Sequence, residues 1–507
     1  MMLKPGNEAR RNAAIPWYLG SLHRKLSGHG WLRWKSVLVR AAASAALIVP
    51  CFWQPSIPSQ DLSSHVYNVW LAQQIREHKP PNLEVRVQPT NILFDLLLEQ
   101  SIAWFGFEFG PKLVMAVLVL VFFWAAFAFV RAAGTTHPLV FGPLLAMGAY
   151  GWVFYMGLAN FYLATGLSFL YLTLVWKRKG WPGWAALLVL ALAAAAHLMP
   201  AAWAAAVDFY RRIYGQLQPA RRKLLFAGAI ASLAAFHFAL RKVLVIQWEA
   251  RQLLLVTGVD QFAVFGYKYL AIIVGVFYLW GYAVYRKLHL REDRGRLNTP
   301  LGHLAGLTAA AAAILPDAVQ LPSQPAPLAF LAQRMSLWLL VLIGCMLPAP
   351  NRLPGFAAAS LSLAGFYFSF LYADAHALNR LERQMTALVS AIPPGSRVIN
   401  SVQDSTSRID VLLHMVDRAC LGRCFSYANY EPASGHFRVR AVGPNPSVLW
   451  NRRDIERLEH GFYRVSDRDL PLYQIRPCSG TGEVCLHSLN PGEVVERVKI
   501  RLLPALW

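Results

Sequence analysis

The sequence is short of charge, and of acid above all. Asp, Glu, Lys and Arg make up only 15% of its 507 residues, against about 25% in soluble domains, which excludes an ordinary soluble protein. The 27 acidic residues face 49 Lys and Arg, a formal net charge of +22. Signatures of energy coupling and hydrolysis are missing as well. The chain has no GxxxxGK[ST] phosphate loop and no GxGxxG dinucleotide fingerprint. It has no HExxH and no GxSxG, which removes the simplest membrane metalloprotease and hydrolase readings. No repeat of fixed period and no low-complexity tract occurs.

Hydrophobic residues are abundant at 56%, with aromatics at 13%, and they gather in blocks of roughly 17–25 residues, the length that crosses a bilayer. The spacing predicts spans at 37–53, 112–131, 138–156, 158–176, 183–197, 199–214, 223–240, 263–285, 300–316, 335–349 and 354–372. The basic leader runs to Lys35, too long for a cleaved signal, so residues 37–53 read as a retained first span. The stretch "WAALLVLALAAAAHLMPAAWAAAVDFY" breaks at His197-Leu-Met-Pro200, because Pro200 lacks an amide donor and clashes with the preceding turn.

The positive charge argues for topology and against nucleic acid. Arg24, Lys25, Arg33 and Lys35, then Lys177 to Lys179, then Arg211, Arg212 and Arg221 to Lys223, then Arg286, Lys287, Arg291, Arg294 and Arg296 flank the apolar blocks. Such clusters stay on the cytoplasmic side. The expected class is therefore an all-α polytopic membrane protein of about 11 transmembrane helices with a small C-terminal α/β or α+β extracytoplasmic domain. Residues 1–36 form a cytoplasmic basic N-terminus, 37–373 the transmembrane domain with a long first outer loop at 54–110, and 374–507 the outer domain. Cys51 and Cys345 fall in spans, whereas Cys420, Cys424, Cys478 and Cys485 fall in the tail. Four cysteines in a non-cytosolic domain predict two disulfides of open connectivity; their spacing fits zinc sites poorly. Asp467-Arg-Asp469 in the tail reads as an exposed loop.

The first outer loop carries the chemistry. "SQDLSSHVYNVWLAQQI" sets Asp61, His65 and Asn68 on one stripe of a helix over 61–77, with Leu62, Val66, Val69 and Trp70 on an apolar flank. "PTNILFDLLLEQSIAWFGF" begins at a Thr90/Asn91 cap and places Asp95 and Glu99 one turn apart among leucines. Asp61 beside a membrane is either a helix cap or a reactive carboxylate. Arg334, at the outer end of a span, is costly unless paired, for instance with Asp317, or used.

These residues, with "YMGLANFYLATGL" around Asn160, the "AHLMP" hairpin and "FLAQRMSLW" around Arg334, resemble the GT-C-type integral-membrane glycosyltransferases. That family takes sugars from polyprenyl-phosphate or polyprenyl-diphosphate carriers. The resemblance implies that Asp61 acts as general base on an acceptor hydroxyl, that displacement is inverting, and that lipid phosphate leaves. It implies cations for that phosphate: Arg334 first, then Arg241, Lys242 and Lys268. His65 would orient Asp61 or meet the acceptor, Tyr67 and Trp70 would face a sugar, and Asn68, Asp95, Glu99, Asn160 and His197 would line the site. The family usually has further acids where this chain carries Asn160, so a catalytically inactive scaffold in envelope assembly stands as the alternative, beside a transporter or lipid flippase. Metal ligands are unknown from the sequence, and a divalent cation, Mg or Mn, is left open as cofactor. The implied partners are a polyprenyl-phosphate-linked sugar, membrane lipid, and a glycan, lipid or protein acceptor. The implied location is a bacterial inner membrane with the N-terminus cytoplasmic.

Overall fold

A computed structural model describes residues 37–134, 138–178, 180–289, 299–322, 327–347, 355–435, 437–478 and 483–500. The basic leader 1–36, Lys179, Arg291, Arg294, Arg296 and the ends of the blocks at 348–349 and 354 lie outside them, as does the Lys287 side chain. The chain divides into two units, residues 1–49 and 50–507; the first contains most of a helix, Val37–Phe52, and the second contains everything discussed below.

The apolar blocks are helices: α1 (Val37–Phe52), α2 (Gln60–Arg76), α3 (Leu93–Ala133), α4 (Pro138–Ala149), α5 (Trp152–Met156), α6 (Ala159–Val175), α7 (Trp184–Ala196), α8 (Leu198–Gln216), α9 (Pro219–Val243), α10 (Tyr269–His289), α11 (Pro300–Ile314), α12 (Leu331–Gly344) and α13 (Phe356–Ser390). Among the described residues, four stretches are long and apolar enough to cross a membrane: Leu93–Ala133, Pro219–Val243, Tyr269–Arg286 and Phe356–Ser390. Six more apolar helices are shorter. By helix length and composition the chain is suited to membrane insertion.

Three departures from the sequence reading have local causes. The second loop helix and the span after it form one element, α3, bent at Gly106, whose φ of 75° only glycine adopts freely. Its N-cap is Ile92, with no side-chain cap; Thr90 instead donates to the Ala194 carbonyl at 2.7 Å. The last helix does not stop at 372. It continues to Ser390 because Ala375, Leu378, Met385 and Val389 keep an apolar, buried stripe at helical spacing. The hairpin forms as expected: His197 is extended (φ −164°, ψ 127°) and its side chain accepts from the Met199 amide, with Pro200 in the first turn of α8, where its missing donor costs little.

The tail is a mixed α/β unit. Its four-stranded sheet runs in the order Val484–Ser488, Leu472–Pro477, Arg397–Asn400, Phe425–Ser426; the first pair is antiparallel and the others parallel. Ile399, Tyr427, Leu449, Ile455 and Leu472 belong to its apolar core. Cys420 stands opposite Cys424 and Cys478 opposite Cys485, with Cα atoms 4.7 Å and 5.2 Å apart, as two disulfides. Asp467-Arg-Asp469 is no loose loop. Asp469 is fully buried and accepts from the Tyr427 and Tyr463 hydroxyls at 2.7 Å each, so it is a structural anchor.

One pairing ties the tail to the loop between α1 and α3. The loop strand Leu83–Val85 lies antiparallel to Val439–Ala441 of the tail. Around it, Trp70 meets Phe425 at 5.8 Å between ring centroids, and Glu99 takes charge-assisted hydrogen bonds from Arg76 and from the tail's Arg438. The loop and the tail thus roof the same end of the helices.

Candidate functional site

Asp61 sits in the first turn of α2, one residue past its start. It does not cap the helix. Ser59 holds the N-cap position, and its hydroxyl donates to the Phe154 carbonyl at 3.1 Å. Among the described residues, the Asp61 carboxylate makes no hydrogen bond, and its nearest charged neighbour is His414 Nε2 at 4.0 Å. About a quarter of its side chain is still accessible (23%). A carboxylate that is walled in, unbonded and still reachable is available for chemistry. Burial pushes its pKa above the ordinary 3.8, while His414, His65 and Arg334 draw it back down.

Two imidazoles flank it, and each is fixed from behind by a carboxylate. His65 Nδ1 faces Asp95 Oδ1 at 2.8 Å, and Asp95 Oδ2 accepts from Asn160 Nδ2 at 2.9 Å. Asn160 is locked in turn by the Phe94 amide (2.8 Å) and the Asn91 carbonyl (3.1 Å). On the other side, His414 Nδ1 faces Asp417 Oδ2 at 3.0 Å, and Asp417 Oδ1 accepts from Ser426 at 2.5 Å. Burial alone would lower both imidazole pKa values. The paired carboxylates outweigh it, lifting His414 above its usual value and His65 to about 9.

The His65–Asp95 pair carries a testable pH dependence. A folded-state pKa above the ordinary 6.5 means stability that is complete below that value and lost as pH rises through about 9. Thermal melting of the detergent-purified chain should therefore fall across that window. His65→Gln should flatten the fall; an unchanged slope would rule the pair out as its source.

Glu431, from the tail, is the third acid at this place. It is 4% exposed, and no hydrogen bond reaches its carboxyl among the described residues. Burial raises its pKa to about 8, with His65 and His414 opposing and Asp95 and Asp417 adding to the rise. At neutral pH it is mostly a neutral acid and a hydrogen-bond donor.

Arg334 supplies the positive side. It does not pair with Asp317, which instead accepts from the Ala332 amide and Gln333 Nε2 at 3.0 Å each, at the start of α12. Arg334 Nη1 meets His197 Nε2 at 3.2 Å, its guanidinium lies 5.6 Å above the Phe161 ring, and its buried Nε has no partner. No carboxylate lies within ion-pair distance of it among the described residues. At its chain neighbour Met335, α8, α9 and α11 line an open apolar cavity of ≈650 Å³ that Trp203 also lines.

The other expected site residues go elsewhere. Tyr67 is fully buried and its hydroxyl accepts from the Ser426 amide at 3.0 Å. Asn68 accepts from Asn429 of the tail at 2.8 Å. Both have been claimed by the loop–tail contact, as Glu99 has by Arg76 and Arg438. Lys268 is spent on Asp374, at 2.5 Å. Arg241 lies on α9, a helix with no buried residue, and is not brought in. The residues the sequence did not offer are His414, Asp417 and Glu431. The only trace was a His and an Asp three apart in the apolar helical run "VLLHMVD".

A glycine holds Asp61 in place. Gly157 (φ 81°) packs so closely under the start of α2 that a Cβ there would lie 2.8 Å from the backbone nitrogens of Asp61 and Leu62. Gly157→Ala adds this backbone clash to a left-handed conformation that costs an L-residue about 1–2 kcal/mol. Melting should drop and activity should fall with it; a variant as stable and active as the parent would show that the contact does not matter.

Asp61, His65, Asp95, Asn160, His197 and Arg334 therefore converge, with three tail residues added. Among the described residues, no group of three or more His, Cys, Asp or Glu is arranged to hold a metal ion. No family model matches the chain, nor does any curated protein or solved structure.

Proposed function

We propose that this protein is a membrane glycosyltransferase that moves a sugar from a polyprenyl-phosphate carrier to an envelope acceptor, by direct inverting displacement at the outer face. The observation that carries the reading is the convergence of an accessible Asp61 carboxylate and a buried Arg334, the first without a hydrogen bond and the second without an ion-paired carboxylate among the described residues. One suits a proton to be taken, the other an anion to be received.

In this mechanism the acceptor O–H bond breaks and its proton passes to Asp61. The acceptor oxygen bonds to the anomeric carbon as the bond from that carbon to the phosphate oxygen breaks. The departing phosphate keeps the electron pair and meets Arg334, whose planar guanidinium suits phosphate. His65, positive below about pH 9, and His414, whose pKa is raised, oppose the effect of burial on Asp61. Glu431 in its neutral form can donate to a sugar oxygen. Asp95, held by Asn160, supplies an acid next to the position where the GT-C-type family usually has more of them, which favours an active enzyme over a silent scaffold. In this reading all eleven apolar blocks cross or line a GT-C-like membrane domain, the N-terminus is cytoplasmic and the tail lies outside. The cavity beside Met335 takes the carrier's chain.

The test is a comparison of lipid-linked sugars and envelope glycans in cells with and without the gene product. Build-up of one polyprenyl-linked sugar in its absence, with loss of the matching residue from a glycan, supports the reading and names the donor. Unchanged lipid-linked pools would sink it.

A further inference from the structure

A second cavity, of ≈610 Å³, lies next to the candidate centre. Gln60 and Gln333 line it, and they are the chain neighbours of Asp61 and Arg334. One end is polar, with Asp260, Arg408 and Asp410; the other is apolar, with Leu254, Ile273 and Phe277. The apolar end opens along α10, where Phe277 is 47% exposed.

Two lining acceptors have no donor. Asp260 Oδ1 and Gln333 Oε1 are buried and unpartnered, although their sister atoms are fully engaged. Asp260 Oδ2 accepts from Ser336 at 2.9 Å and faces Arg408 at 3.5 Å. Gln333 Nε2 donates to Asp317, which fixes which way the amide points. Buried acceptors are nearly always satisfied in native proteins, and donors brought by a ligand in this cavity would satisfy them. Hydroxyls meet that need. Phe330, 39% exposed, also lines the cavity and offers an apolar ring face against which a sugar's C–H face can lie.

We infer that this cavity holds the acceptor, and that the acceptor is a glycolipid: a sugar headgroup donating to Asp260 and Gln333, on an apolar chain laid along α10. The inference rests on the transferase reading, and narrows its acceptor from glycan, lipid or protein to one class. Donor and acceptor chains then enter from different cavities, and their headgroups meet between Asp61 and Arg334. A soluble glycan or a protein would leave the apolar end unused.

The test uses the full chain in lipid nanodiscs and a dodecyl glucoside bearing a photoreactive diazirine in its chain, with labelled residues mapped by mass spectrometry. Labels are expected at Leu254, Ile273 or Phe277. Unlabelled dodecyl glucoside should compete about tenfold or more better than free glucose or a sugar-free dodecyl detergent. Ala263→Trp, which fills the cavity, should abolish this labelling while a photoreactive polyprenyl phosphate still labels near Met335, showing that the variant is folded. Labels scattered over lipid-facing helices, or equal competition by the sugar-free detergent or by free glucose, overturn the inference. Because the readout is binding, Asp61→Asn separates the two claims. An inactive Asp61→Asn with no cavity labelling in the parent sinks the acceptor site alone, whereas cavity labelling with a fully active Asp61→Asn sinks the transferase mechanism.

Discussion

Asp61→Asn is expected to lower sugar transfer by about 10²–10⁴-fold, the usual contribution of a positioned general base, with the protein at normal abundance. The substitution keeps size and polarity, and Asp61 makes no hydrogen bond that the fold needs. Its burial even penalises the charge that Asn removes, so melting should stay level or rise. Lipid-linked sugar should accumulate as it does when the protein is missing. Activity should also fall as pH drops through the raised pKa of Asp61, because the base works only when ionised. An Asp61→Asn variant that transfers normally would leave Asp61 without a role and return the scaffold and the transporter to the front.

Arg334→Met is expected to cost about 10²–10³-fold, the range seen when one preorganised group facing developing charge is removed. Its stability signature should be the opposite of that of a structural residue. The parent keeps a buried cation with no acidic partner and an unpartnered Nε, which is unfavourable in the absence of ligand. Removing the charge should leave melting unchanged or raised, while binding of a polyprenyl phosphate weakens. Arg334→Lys should restore charge without the forked geometry and recover only part of the rate. If Arg334→Met instead melts well below the parent and still binds the lipid phosphate, Arg334 is a packing residue and the leaving group is met elsewhere.

The apolar helices were legible in the sequence because apolar length acts locally, and so was the break at Pro200. Asp61, His65 and Asp95 were legible too, as acids and a histidine where an amphipathic surface helix needs none. What the sequence hid is the tail's hold on α2. Tyr67 and Asn68 have the polar groups of a binding site and the right spacing, yet Ser426 and Asn429 take them. Lys268 was misplaced for the same reason, since its partner Asp374 lies 106 positions away. His414 and Glu431 sit in a region whose local pattern says only small mixed domain. Periodicity reports which face a residue takes. It cannot report which distant segment will cover that face.

The pairing of Leu83–Val85 with Val439–Ala441 bears on how the protein comes to be active. Contacts such as Tyr67 to Ser426 join positions 359 apart. At about 5–20 residues per second, roughly 20–70 s of translation separate the helix that bears Asp61 from the segment that completes its surroundings. Until then the helix lacks its second histidine, and on the transferase reading a chain cut short before the tail is expected to be inert. On the transferase reading, competence waits for Val439–Ala441 to be made, long after the helix that it completes.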